Sequence, residues 1–113
     1  MRAGAMVIAC AALAACSAGP SDPAARRGEA VFASKHCGAC HRLSGVAGAV
    51  GEVGPPLDDL GRRTILAGVL PNTPANLAQW VRSPHSFKPG DAMPDTVLNP
   101  DQARDLAAFL ESR

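Results

Sequence analysis

Cys37-Gly38-Ala39-Cys40-His41 sets two thiols three residues apart with an imidazole directly behind the second. Thiols at that spacing add across the two vinyl groups of one haem, while the histidine coordinates the iron from the same side. Each residue type has a task, and the pentapeptide predicts one haem c, covalent through Cys37 and Cys40, with His41 as an iron ligand. Three other readings compete. A thioredoxin-like redox pair needs a strand before its first cysteine, and the residues ahead of Cys37 have helical spacing instead. A zinc site using Cys37, Cys40 and two of His36, His41 and His85 lacks the second half of a regularly spaced ligand set. A disulfide between Cys37 and Cys40 closes a very short loop and stabilises little.

The composition asks for such a bound body. The chain has 113 residues, enough for one modest core. Its 47% hydrophobic content leans on alanine, with three Phe, one Trp and no Tyr beside 11 Gly and 10 Pro. A small domain that fills its core this poorly usually adds disulfides, a metal or a cofactor. The 11 Lys and Arg are scattered against 10 Asp and Glu, so no basic stripe marks a nucleic-acid partner.

Upstream, residues 3–15 carry no charge after Arg2. A bilayer span needs about 20 apolar residues and a secretory h-region about 7 to 15, so the segment reads as a signal peptide. Leu13-Ala14-Ala15-Cys16 is similar to the lipobox of bacterial lipoproteins, cut before a cysteine that carries diacylglycerol. The expected organisation is a cleaved signal over 1–15, lipid on Cys16, a tether over 16–22 and a folded domain over 23–113. An ordinary signal cut near Ala18, discarding Cys16, is the alternative. Anchoring by more than one acyl chain is stable, and export places the domain in an oxidising compartment, on the periplasmic side. Cys10 then leaves with the signal, and Cys37 and Cys40 are the thiols free for chemistry.

Asp22-Pro23, Thr73-Pro74 and Asn99-Pro100 each pair a capping side chain with a proline, the start signal of a helix. The first helix is predicted to run to about Lys35, with Ala24, Gly28, Val31 and Phe32 on one face. The second runs from Pro74 to about Arg82 with Leu77, Trp80 and Val81 inward. The third starts at Pro100 and aligns Ala103, Leu106, Ala107 and Leu110, with Phe109 beside them. Ser44 to Pro56 reads as irregular, Leu57 to Leu60 as one short helical turn, and no alternating strand pattern competes. The expected fold is all-α, three main helices plus short turns wrapped around the haem, because helices this short need a common apolar body.

The sixth iron position decides carrier against catalyst. Met93 is the thioether that remains after loss of Met1 and Met6, and Lys88-Pro89-Gly90-Asp91-Ala92-Met93-Pro94 holds it in a loop stiffened by proline. Met93 filling a core gap is the competing reading. His85 is a second candidate ligand, or an exposed loop histidine, whereas His36 is tied to the attachment side.

With these motifs in order, the chain resembles class I c-type cytochromes over Ala25 to Leu110. Cys37-Gly38-Ala39-Cys40-His41 is similar to the attachment motif, Gly54-Pro55-Pro56-Leu57 to the proximal loop, and Lys88-Pro89-Gly90 with Met93-Pro94 to the distal methionine loop. The resemblance implies a hydrogen bond from the free ring nitrogen of His41 to the Pro55 carbonyl. It also implies crossed first and last helices where Gly28 and Phe32 meet Leu106 and Phe109, and Trp80 on the distal side near Met93. An arginine at Arg63, or its neighbour Arg62, would neutralise a haem propionate. More narrowly, the stretch from Arg63-Thr64 through Leu70-Pro71-Asn72-Thr73-Pro74 to Met93-Pro94 resembles the cytochrome c domain fused to subunit II of some haem-copper oxidases, here without the copper-binding domain. Asp91 stands where a hydroxyl residue often helps a propionate, and is expected to face solvent.

The function so implied is single-electron transfer in a bacterial respiratory chain, to or within a terminal oxidase, by a protein that is not itself an enzyme. His41 and Met93 together close both faces of the iron and leave no site for a small-molecule substrate. The expected redox partners are a quinol-oxidising complex as donor and a terminal oxidase as acceptor, with the membrane reached through the lipid on Cys16. With Lys35 and Lys88 alone for steering, docking should depend weakly on salt. A haem enzyme or gas sensor with a labile sixth ligand, and an accessory haem subunit fixed in a larger complex, are the alternatives.

Overall fold

The computed structural model describes Gly4 and residues 20–113. The expected signal, the lipid site at Cys16 and most of the tether lie outside these residues.

Each of the three predicted starts opens a helix. Helix α1 spans Pro23–Ser34, and its N-cap Asp22 accepts the Ala25 N–H. Helix α2 spans Pro74–Arg82 behind Thr73, which accepts from Asn76. A four-residue helix, α3, follows at Pro84–Phe87. Helix α4 spans Pro100–Glu111, and here Asn99 and Gln102 cap reciprocally. In every case a proline at the first turn loses nothing, since its missing N–H would have no intrahelical partner.

α1 and α4 make the most extensive contact in the molecule, and α2 packs on α4. The crossing is tight at Gly28. A Cβ built there would lie 2.6 Å from the Asp105 carbonyl carbon and 2.7 Å from Phe109 Cβ. One turn on, the Phe32 and Phe109 rings meet edge to face with centroids 5.7 Å apart, a favoured aromatic geometry. The inward face of α1 carries Ala25 with Gly28, Val31 and Phe32, so Ala25 takes the place expected for Ala24. The faces of α2 and α4 bury the residues expected of them, with Ala78 added to the first.

Two features depart from the all-helical expectation. Strands β1, Ile65–Leu66, and β2, Leu70–Pro71, form a small antiparallel hairpin. Its turn takes positive φ at Ala67 and Gly68, 51° and 75°, which suits the twist of paired strands. The helical turn expected at Leu57 to Leu60 lies instead at Leu60–Arg62, a 3₁₀ turn entered through Asp59 in the left-handed region. Asn72 Nδ2 ties hairpin to turn by donating to the carbonyls of Leu60 and Arg63, at 2.9 and 2.8 Å.

Candidate functional site: an apolar cleft between two loops

α1 ends where His36 turns left-handed, at φ 57°, and Cys37–Ala39 coils into a 3₁₀ turn. The His41 N–H donates to the Cys37 carbonyl at 3.0 Å, which presents the imidazole beside the thiols. The segment after it is laced across this turn by the amides of Gly51, Gly54 and Leu57, which reach the carbonyls of Gly38, Cys40 and Arg42 at 3.0, 2.7 and 2.9 Å. That lacing brings the Pro55 carbonyl to 2.8 Å from His41 Nδ1, the bond implied by the resemblance. A carbonyl only accepts, so Nδ1 carries the proton and Nε2 keeps its lone pair for a metal. Gly54 lies flat against the ring, and a Cβ there would stand 2.7 Å from Nδ1.

His41, both cysteines and Met93 line one cleft of about 360 Å³. Its lining is mainly apolar, with Phe32, Leu66, Leu77, Trp80 and Leu106 brought in from α1, β1, α2 and α4. Trp80 is 9% exposed and tilts against Phe87 with centroids 6.3 Å apart. Met93 is half-buried and packs against the core. Cys37 and Cys40 are free thiols, and burial pushes the Cys37 thiol up, so it rests protonated.

The structure separates the two arginines. Arg63 lines the cleft and donates to the Pro56 and Asp58 carbonyls, at 2.6 and 3.3 Å. Among the described residues it pairs with no carboxylate. Arg62 points away and pairs with Asp59. His85 is not among the cleft residues, and its Nε2 lies 2.8 Å from the Asp91 carbonyl. Among the described residues, no three His, Cys, Asp or Glu side chains converge as a metal site.

Asp91 corrects the expectation that it faces solvent. Its side chain is 21% exposed, accepts the Met93 N–H at 2.9 Å and pairs with Lys88 at 3.2 Å. The Met93 N–H, with Lys88 behind it, holds this carboxyl below its ordinary value. Sequence reasoning also missed that Gly54 seats the His41 ring. The signal there was a glycine directly before the two prolines.

The cleft, the thiol pair and the carbonyl-oriented histidine fit the attachment of a c-type haem. The cytochrome c family model matches residues 25–113, and the chain belongs to the cytochrome c family. Three relatives, each named cytochrome c oxidase subunit 2, are similar to it. That of Bacillus sp. (strain PS3) is 38% identical over 96 residues, covering 81% of this chain and 27% of the relative. That of Alkalihalophilus pseudofirmus is 35% identical over 97 residues, covering 82% and 27%. That of Bacillus subtilis is 34% identical over 91 residues, covering 77% and 26%. The chain therefore spans about a quarter of the length of these relatives. No solved structure gives a significant match.

The family implies covalent haem c, and the residues fit it. Two free thiols stand at a largely apolar cleft, a histidine is locked in the metal-binding tautomer, and a cationic Arg63 without a carboxylate partner among the described residues faces the same space.

Proposed function

We propose that the chain is a mono-haem electron carrier in which Cys37 and Cys40 would hold the haem and His41 and Met93 would ligate its iron. The observation that carries this reading is that the oriented imidazole of His41 and the thioether-bearing loop of Met93 line the same cleft. Bound haem supplies one-electron iron chemistry, and the chain supplies attachment, ligation and burial. The Pro55 carbonyl draws on the Nδ1 proton and raises the basicity of His41. The apolar lining penalises the extra positive charge of the oxidised state, and thioether ligation acts in the same direction, so the potential is raised. Arg63 meets a propionate, and Trp80 walls the cleft on the Met93 side. No side chain performs acid–base chemistry, and the protein is not an enzyme in its own right.

Similarity to oxidase subunits supports a terminal oxidase as electron acceptor, with a quinol-oxidising complex as donor. The Leu13 to Cys16 motif supports export to the periplasmic side and a lipid anchor on Cys16.

The test is near-infrared absorption of the ferric protein made with c-type maturation. A weak sulfur-to-iron charge-transfer band that disappears in Met93→Ala is expected. High-spin iron without the band means an open sixth site and overturns the carrier reading. A second reading, a haem subunit fixed within an oxidase, is favoured by the kind of relative found. Co-purification with oxidase subunits in mild detergent separates it from a mobile carrier.

A further inference from the structure

The Met93 loop is held by contacts among its own residues, of which Lys88 and Asp91 also line the cleft. Lys88-Pro89-Gly90-Asp91 closes as a turn, with the Asp91 N–H on the Lys88 carbonyl at 3.1 Å and Gly90 at φ 80°, the pattern of proline then glycine at a type II corner. The Asp91 carboxylate is then committed at both oxygens. Oδ1 accepts the Met93 N–H at 2.9 Å and Oδ2 faces Lys88 Nζ at 3.2 Å. The Asp91 carbonyl meets His85 Nε2 at 2.8 Å, and the His85 amide reaches Asp95 Oδ1 at 3.2 Å. Among the described residues, between the bonded amides of Asp91 and Thr96, that of Met93 is the one with a partner. Pro94 beside it has no N–H to offer.

We infer that Asp91 is the positioning residue for Met93: its carboxylate, aimed by Lys88, clamps the Met93 amide and fixes where the thioether enters the cleft. This rests on the axial role proposed for Met93 and adds a determinant of how firmly that ligand stays in place. Removing Met93 from the site requires the loop to open, and opening breaks a hydrogen bond to a charged acceptor that is already oriented. The clamp acts on the Met93 backbone amide and not on the thioether.

The test is displacement of Met93 by imidazole in the ferric holoprotein, followed at the sulfur-to-iron band. Asp91→Ala is expected to speed displacement about tenfold or more, the scale of a lost hydrogen bond to a charged group. Asp91→Asn keeps an acceptor oxygen but loses the charge and the Lys88 pair, and is expected to exchange at a rate between the two, several-fold slower than Asp91→Ala. The inference is overturned if the parent shows the band and Asp91→Ala exchanges at the parent rate, or if Asp91→Asn is as fast as Asp91→Ala. A parent without the band overturns the axial role of Met93 and this inference with it. Should Asp91→Ala fail to take up haem, hydrogen exchange at the Met93 amide of the parent decides. Protection supports the clamp, and exchange at the rate of an open loop overturns it.

Discussion

Gly54 shows how much of the site rests on a side chain that is missing. The His41 ring lies where a Cβ at position 54 would be 2.7 Å from Nδ1, well inside van der Waals contact. Gly54→Ala must tilt the ring or lift the 51–57 segment, and either motion loosens the bond to Pro55. The expected cost is about 1–3 kcal/mol of holoprotein stability, the usual range for overpacking, with altered hyperfine-shifted ring signals. Thermal melting and proton NMR of the ferric protein check both. Two carboxyls shape the acid side of the stability profile with opposite signs. Asp58 is held low, first by the Ser44 N–H at 3.0 Å and also by the charges of Arg113 and Arg42. Its stabilisation is present above the ordinary aspartate value and is lost as pH falls through the lowered one, below about pH 4. Burial holds Glu111 high, and its Oε1 has no hydrogen-bond partner among the described residues. Its contribution is present below the ordinary glutamate value and is lost as pH rises through the raised one. Asp58→Asn should therefore flatten the fall in melting temperature at the acid extreme, and Glu111→Gln should remove the loss on rising through the glutamate range. Melting curves from about pH 3 to 7 separate them.

At the scale of elements, the crossing of α1 and α4 carries the fold. A methyl group at Gly28 would press on the Asp105 backbone and on Phe109 Cβ, neither of which can swing aside. Gly28→Ala is expected to cost about 2–4 kcal/mol despite its better helix propensity. Asn99→Ala removes one half of a capping box and should cost about 1 kcal/mol. Denaturant titration of the two variants tests that order, and a larger loss in Asn99→Ala would place the weight on the cap instead of the crossing. These elements were legible because a capping residue before proline is local chemistry, written at Asp22, Thr73 and Asn99. The hairpin was not, since two-residue strands show no alternation and its turn, Ala67-Gly68, is a weak form of the usual pair. α3 at Pro84–Phe87 is one turn long, too short for periodicity. That Cys37, Cys40, His41 and Met93 share one cleft was to be expected from spacing and from the resemblance. Asp91 was misjudged because its partner is a backbone amide two residues on, which no pattern of side chains encodes.

At the scale of the whole molecule, among the described residues, helices α1, α2 and α4, of 12, 9 and 12 residues, line a cleft they do not fill. Helices of fewer than about 12–15 residues are marginal alone, so their stability must come from what they pack against. Without a body in the cleft of about 360 Å³, the chain would lose packing that a small domain, stable by about 5–15 kcal/mol in all, cannot spare. Val53, exposed, and Leu57 and Met93, half-buried, are among the apolar lining side chains then left to water. The chain without haem should therefore lack a cooperative fold. Cys37→Ser with Cys40→Ser, produced without haem, is expected to lose the near-ultraviolet signal of Trp80 and the amide dispersion of a packed core, while keeping part of its helical signal. Non-covalent haem added to that variant should restore cooperative melting through His41 and Met93. A sharp thermal transition in the haem-free variant would mean that α1, α2 and α4 close upon themselves, and the cleft would then be a site built beside the core instead of its centre.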